Sequence, residues 1–544
     1  MPEGANLGYW RLETNQKQRS IFAKVYSRFS LRGLIFFVAA AGFFCFSVLP
    51  VVYMAASSFV SEQGAFSPEN YKELLSFDAR RRALLLNSAA LGLGAACLST
   101  LIGVPLGFLL ARAEFTFKRL WRFVLVVPLV IPPYIFALAW VLMLGKPAPE
   151  ITYSLFGAII VLGLCFYPLP MLAAEAALRQ VDRRMEEAAL LAAPPFRVFR
   201  RITMPLIAPV VSAVFLIVFV LSVAEFGVPG LLRVRVFTTE VFTAFAALYD
   251  IGAATALAVP ASFVTLVAAI FAAKLLGEKT LIGRRKHLAA ANSTRGNFRF
   301  ALLAGACVVL FAAVLLPILT LSFEAFAVRS LSKIVLDSGA AIANSLLLSA
   351  IGAGLVVIIS VILGYTRSRA KTNRRWLADV VFLVIFAVPS TVVGVGIIGL
   401  WNRGGLETIY TSQAIIVVGY LARFTPVAAL IFGGIVRQIP YSIEEAAAIS
   451  GANWLRIFGR IVLPNMKNGI AGVWLIIFIF TFGELGTTLL VAPPGETTLP
   501  VRIYTLIANT PPSEVAALAL LQISVILLPL AFLILWRKPK KKTA

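Results

Sequence analysis

Charge is scarce in this chain, and acid scarcer still: 14% of its 544 residues are Asp, Glu, Lys or Arg, and only 25 of those are acidic. An average soluble domain carries about 25% charged residues, so a water-soluble globular fold is excluded. Histidine occurs once, at His287 in a polar basic stretch. No His-based metal site and no Ser-His-Asp hydrolase can be built from it. The four cysteines, Cys45, Cys97, Cys165 and Cys307, sit in apolar runs without C-x2-C spacing, which removes the disulfide and zinc readings. There is no G-x4-G-K stretch to cradle a nucleotide's phosphates. Nor does any nucleophile-base or metal-ligand constellation support a membrane-bound enzyme.

What is abundant is apolar surface. Hydrophobic residues make up 60% of the chain and the mean hydropathy is +0.90, which together indicate an all-α integral membrane protein with about a dozen spans. The net charge of +24 comes from cations gathered at the ends of apolar segments, as the positive-inside rule requires, rather than along one exposed face. Its counter-charge is anionic lipid headgroup, not nucleic acid.

Along the chain, Arg11, Lys17, Arg19, Lys24, Arg28 and Arg32 precede the first apolar run, so residues 1–32 read as a cytoplasmic segment and the run from Gly33 to about Ala55 as an uncleaved span. Span 2 begins near Asn87-Ser88, span 3 carries Pro128, Pro132 and Pro133, span 4 runs from about Phe156 to Ala174, and spans 5 and 6 cover about 206–230 and 252–275. A basic linker, 277–298, then divides a first half (33–276, core about 84–276) from a second (299–536, core about 341–536), and 537–544 form a basic cytoplasmic tail. The second half repeats the first: Asn344-Ser345, Gly364, Arg369, Pro389 and Glu484 answer Asn87-Ser88, Gly107, Arg112, Pro132 and Glu225. Six spans per repeat is an even number, so the two repeats are parallel in the membrane and both termini are cytoplasmic.

The clearest repeat is a polar one. RQVDRRMEEAALLAAPPFRVFRRITMPLI (Arg179–Ile207) returns as RQIPYSIEEAAAISGANWLRIFGRIVLPNM (Arg437–Met466), first at a separation of 258 residues and, beyond the bend, of 259. Each copy reads as a helix, a bend and a second helix outside the bilayer, with Arg-rich flanks that place it in the cytoplasm. One copy alone would fit an interfacial amphipathic helix; the duplication favours a docking element.

This pattern resembles the EAA loop of permease subunits in binding-protein-dependent (type I) ABC importers. The second copy matches through Glu445, Ala446, Ala447, Gly451, Ala452, Phe458, Ile461, Leu463 and Pro464. The first departs from it, with Ala193 in place of Gly, Pro194 in place of Ala and Met204 in place of Leu. The resemblance implies that the loops dock on two ATP-binding subunits, with Glu187, Ala188, Ala189, Arg197, Phe199 and Pro205 in the first and Glu445, Ala446, Ala447, Gly451, Ala452, Arg456, Phe458 and Pro464 in the second as coupling residues. It further implies that ATP and magnesium are bound by those partners with no cofactor in this chain, that a periplasmic or lipid-anchored solute-binding protein delivers the solute, and that the site is the bacterial inner membrane. Within that family AEFGVP and the Asn-Ser stretches look most like the ferric-iron permeases; 2-aminoethylphosphonate, thiamine and polyamine permeases are alternatives, and an ion-coupled secondary transporter is the rival of another class.

Three charges stand apart from the loops. Glu225 and Glu484 lie in or near the ends of spans 5 and 11, and Arg423, in YLARFTP, is a candidate counter-charge. Intramembrane charges cost about 2.5–3.5 kcal/mol on insertion scales and usually face a cavity or a partner, so these three are candidates for the translocation pathway, with a purely structural role for the glutamates left open and the metal, if any, unknown. Glu175 reads as solvated at a span end. The tracts Gly227–Val241 and Gly486–Arg502 read as connecting loops on the outer side.

Overall fold

Four apolar segments of this chain contain a proline two residues past a short wide turn, and the pattern shows how the spans are built. The computed structural model describes residues 31–59, 71, 79–277, 297–328, 330–370 and 372–536. Within it, π-helical turns at Phe44–Val48, Phe199–Thr203, Phe311–Leu315 and Phe458–Val462 are each followed by a helix whose second residue is Pro50, Pro205, Pro317 or Pro464. Proline lacks the N–H that would bond four residues back, and its ring clashes with that carbonyl; one extra residue in the turn moves the carbonyl aside and lets the helix run on.

Nine helices among the described residues are long and apolar enough to cross a membrane, and three further bent pairs bring the total to twelve if each counts as one span. In order, span 1 is Leu31–Ser57, span 2 Ala79–Arg112, span 3 the pair Lys118–Val130 and Pro133–Leu144, span 4 the pair Leu155–Phe166 and Pro168–Leu178, span 5 Pro195–Ala224 and span 6 Ile251–Leu275. The second set is Phe300–Ala325, Gly339–Arg369, the pair Arg374–Ala387 and Ser390–Trp401, Ala414–Val436, Trp454–Phe482 and Pro512–Ala531, spans 7 to 12. Spans 3 and 9 bend by 88° and 91° at Pro132 and Pro389, the same place in each repeat. The N-terminal segment, the 277–298 linker with His287 and the 537–544 tail fall almost wholly outside the described residues.

Span 2 packs on span 4, and span 8 on span 10, through glycines that admit no side chain. A Cβ on Gly107 would lie 2.5 Å from the Met171 carbonyl oxygen, and one on Gly364 would lie 2.6 Å from the Phe432 Cβ. Each half then completes the other. Span 1 lies on the second half, where Ser47 Oγ donates to the Leu421 carbonyl at 3.2 Å and Gly396 leaves room for the Pro50 carbonyl. Span 7 lies on the first, where Ala306 and Ala313 are buried with Leu106, Leu109, Leu110 and Met171. Pulling the halves apart would expose both seams.

Three expectations require correction. Span 5 ends at Ala224, not near 230, because Glu225 turns extended and Gly227–Leu231 starts a new helix. The two tracts read as loops are folded back as short helices, Gly227–Leu231 and Phe237–Phe242 in one half and Thr488–Val491 and Leu499–Leu506 in the other. Ser88 and Ser345, the serines of the Asn-Ser pairs, accept the backbone N–H of Phe237 at 3.1 Å and of Leu499 at 2.6 Å, which satisfies orphan donors at those helix starts. Glu175 is buried rather than solvated: it pairs with Arg179 Nη2 at 2.6 Å and Arg122 Nε at 3.1 Å, and in that company the charge is compensated.

Candidate functional site

The two duplicated loops emerge at the same end of the bundle, between spans 4 and 5 and between spans 10 and 11. Their first helices are Arg183–Leu190 and Tyr441–Ile449. Glu187, Ala188, Glu445 and Ala446 are exposed on them, while Ala189 and Ala447 are half-buried. Alanine keeps such a helix strong and narrow, and an acidic residue in its opening turn complements the helix dipole. Arg197 and Arg456 face solvent, and Pro205 and Pro464 are exposed at the start of the following span. Phe199 and Phe458 point inward, where they meet Phe108 at 5.7 Å and Tyr365 at 5.2 Å between ring centroids, both edge-on.

What fastens these helices is the glutamate before the one in the EAA pattern. Glu186 Oε2 pairs with Arg112 Nη2 at 2.9 Å, and Glu186 Oε1 accepts from Thr203 Oγ1 at 2.8 Å. Glu444 pairs with Arg369 and accepts from the Tyr365 hydroxyl at 2.8 Å. Both arginines close the C-terminal ends of spans 2 and 8, so each loop helix is bolted to the bundle by a largely buried ion pair. Sequence reasoning aligned all four residues across the repeat without pairing them; charges of opposite sign kept at equivalent positions in both halves were the signal.

Beyond the helix the loops differ. Gly451 makes the second bend at φ +83°, a conformation L-residues avoid, and the Asn453 side chain accepts the Arg456 N–H at 3.0 Å to cap the next helix. Ala452, in the bend, is half-buried. In the first loop Pro194 stands before the corresponding helix with no side-chain cap, and Ala193 keeps negative φ.

At the centre of the bundle a cavity of about 280 Å³ is lined by both halves, including the broken turns of spans 3 and 9, Glu225, Arg423 and Glu484. All three candidate pathway charges therefore meet in one space. The glutamates also hold backbone. Glu225 Oε1 accepts from the N–H of Gly227 at 3.0 Å and Val228 at 3.3 Å. Glu484 accepts from the N–H of Thr487 at 2.8 Å and Thr488 at 2.9 Å, and from Thr488 Oγ1 at 2.5 Å. Each carboxylate thus opens a folded-back helix while lining the cavity. No cluster of three or more His, Cys, Asp or Glu able to hold a metal ion is present among the described residues.

Comparison with known proteins adds an independent view. A family model described as binding-protein-dependent transport system inner membrane component matches residues 103–280 and again 356–538. The Fe(3+)-transport system permease protein FbpB 2 of Haemophilus influenzae is 23% identical over 441 residues, 79% of this chain and 85% of that protein. The ferric transport system permease protein FbpB of Actinobacillus pleuropneumoniae is 23% identical over 477 residues, 80% of this chain and 68% of its own. A putative 2-aminoethylphosphonate transport system permease protein, PhnV, of Salmonella typhimurium is 30% identical over 166 residues, 30% of this chain and 60% of its own.

Proposed function

The chain belongs to the family of binding-protein-dependent transport system inner membrane components, as the permease of an ABC importer, and from that premise we propose that its two fused halves carry ferric iron across the bacterial inner membrane. The observation that carries the choice of solute is the extent of the likeness to ferric permeases, which spans about four fifths of the chain, 79% and 80% in two of them. The phosphonate permease matches 30% of it, and 2-aminoethylphosphonate is the second reading. Membership of the family sets aside an ion-coupled secondary transporter.

In this reading ATP and magnesium are handled by two separate ATP-binding subunits, one on each exposed loop helix, and a periplasmic or lipid-anchored solute-binding protein docks at the opposite end. Both termini and the 277–298 linker lie in the cytoplasm. Closure of the ATPases on ATP moves the levers, and because Arg112–Glu186 and Arg369–Glu444 tie each lever to a span, the movement is passed to the bundle rather than absorbed in the loop. The test is uptake of labelled ferric iron into proteoliposomes holding the permease, its ATPase and its binding protein. ATP-dependent uptake is expected; uptake of 2-aminoethylphosphonate in its place would transfer the assignment to the second reading.

A further inference from the structure

We propose that the central cavity is a transit site for an anionic oxygen group, a carboxylate, phosphate or phosphonate, held by the guanidinium of Arg423. Resting on the ferric reading above, it follows that iron crosses as an oxyanion-ligated complex and not as a bare cation.

The lining of the cavity separates groups already engaged from one that is not. Glu484 gives both carboxylate oxygens, and Glu225 gives Oε1, to N–H or O–H donors of the helices they open. The fold's own donors therefore already occupy those oxygens. For either glutamate to take up a metal ion through those oxygens, it would have to release its donors and leave a buried helix start unpaired. The Tyr134 hydroxyl, also on the cavity wall, is committed to Gln522. Arg423 is different. Its Nη1 is buried without a hydrogen-bond partner. It stands close enough to Glu225 to interact with it electrostatically, yet no ion pair joins it to either glutamate among the described residues.

The fold itself does not ask for this cation. Phe166 and Pro168 in span 4 correspond to Phe424 and Pro426 in span 10, and the contacts of Gly107 with Met171 and Ala174 correspond to those of Gly364 with Ala429 and Phe432. In that register the place of Arg423 is taken in the first half by Cys165, which is buried and lines the same cavity. A small neutral side chain therefore satisfies the packing. A guanidinium inside a membrane bundle that has, among the described residues, no hydrogen bond or ion pair, only the nearby charge of Glu225 and the Phe424 ring at 6.0 Å, is costly, and it is suited to a planar or tetrahedral oxyanion, which it can grip with two parallel N–H bonds. A volume of about 280 Å³ lies at the small end of ligand pockets and suits a small solute.

The experiment compares the wild-type permease with Arg423→Gln and Arg423→Lys, each assembled with its ATPase in nanodiscs. Equilibrium dialysis with labelled methylphosphonate is expected to show saturable binding that weakens tenfold or more in Arg423→Gln and threefold or less in Arg423→Lys. The ATPase sites are common to all three samples, so the difference belongs to the permease. Thermal unfolding of Arg423→Gln is expected at or above the wild-type temperature, because no hydrogen bond of Nη1 is lost. Equal binding by wild type and Arg423→Gln overturns the proposal. Should Arg423→Gln fail to assemble, the wild type decides alone: binding displaced by acetate and phosphate supports the site, and no saturable binding removes it. A second arm measures uptake of ferric iron presented with phosphate or with citrate, and of 2-aminoethylphosphonate. Iron uptake that is the same in wild type and Arg423→Gln overturns the anion site and leaves the ferric reading standing. Phosphonate uptake lost in Arg423→Gln, with no iron uptake by the wild type, does the reverse.

Discussion

The first duplicated loop and the second are fastened alike and bent differently. In both, an arginine closing the C-terminal end of a span holds the first glutamate of the pair at the helix start, Arg112 with Glu186 and Arg369 with Glu444. The second loop then has a positive-φ glycine, an asparagine cap and an aromatic cluster in which Trp454 stacks on Phe458 at 5.0 Å, meets Phe36 of span 1 edge-on at 5.3 Å and lies 5.9 Å from the Arg32 guanidinium. The first has two prolines in the bend and leaves Phe196 exposed at 74%, where the second has Leu455 at 43%. Divergence between the halves has thus spared the bolt and changed the hinge.

The comparison breaks first at the bolts. Glu444→Ala would leave Arg369 and the Tyr365 hydroxyl without their carboxylate, and Glu186→Ala would do the same to Arg112 and Thr203. Removing one member of a buried pair costs about 3–5 kcal/mol, so both variants should unfold at clearly lower temperature in nanodiscs and lose most transport. Wild-type unfolding temperatures in either would mean that the pairs are decorative.

A smaller effect is expected at the hinges, where the two loops should part company. Gly451→Pro forces the bend out of φ +83°, because proline holds φ near −65°; Ala193→Pro asks much less of a residue with negative φ. Gly451→Pro and Glu445→Arg should therefore uncouple ATP hydrolysis from transport more severely than Ala193→Pro and Glu187→Arg, with about tenfold more ATP spent per solute moved in the first pair. Both ATPase subunits should remain necessary. Transport and binding-protein-stimulated hydrolysis measured side by side would decide it, and equal defects would show that the divergent bends are mechanically silent.

Much of this was legible in the sequence because a membrane makes periodicity and charge speak plainly. The duplicated loop and the six-span repeat gave family and parallel halves, and the matched prolines at 132 and 389 marked equivalent places without announcing the bends of 88° and 91° found there. The misreadings share a cause. Glu175 looks solvated because one sequence cannot show that Arg122, from a neighbouring span, reaches it; in the second half the roles exchange, with Arg367 on span 8 pairing with Asp379 on span 9. The Thr/Pro/Gly tracts look like loops because helices of four to eight residues carry no periodic signal, and they are held by the glutamates just before them, Glu225 and Glu484, and by Ser88 and Ser345 far along the chain. Glu186 and Glu444 were overlooked for Glu187 and Glu445 because the motif draws the eye to the exposed residue.

Tyr365 sharpens the comparison further. Its counterpart in the first half is Phe108, so Tyr365→Phe makes the second bolt resemble the first while keeping the ring against Phe458. The lost hydroxyl leaves one oxygen of a buried carboxylate short of a donor, which costs about 1–3 kcal/mol. Transport should fall about two- to fivefold with assembly intact, and Phe108→Tyr should bring no gain, because Glu186 already takes its second bond from Thr203. A gain from Phe108→Tyr would show that the first bolt is under-tightened rather than differently tightened.

The smallest effect tests whether the cap matters apart from the glycine. Asn453 accepts the Arg456 N–H and so satisfies one orphan donor of the helix Trp454–Ile457; losing such a cap costs about 0.5–2 kcal/mol. Pro194, one residue before the matching helix Pro195–Val198, provides none. That helix loses little by it, since Pro195 at its first position has no N–H to satisfy. The second loop has Trp454 there instead, so the cap and the aromatic cluster work on the same short helix, the cap through the Arg456 N–H and the cluster through the Trp454 ring. Asn453→Ala should therefore loosen Trp454, seen as a red-shifted and more quenchable tryptophan emission against a background in which the other tryptophans are replaced by phenylalanine, while transport falls by half or less. Asn453→Asp keeps an acceptor and should restore the emission. If Asn453→Ala leaves Trp454 unmoved, the aromatic cluster alone fixes the second hinge and the cap is redundant with it.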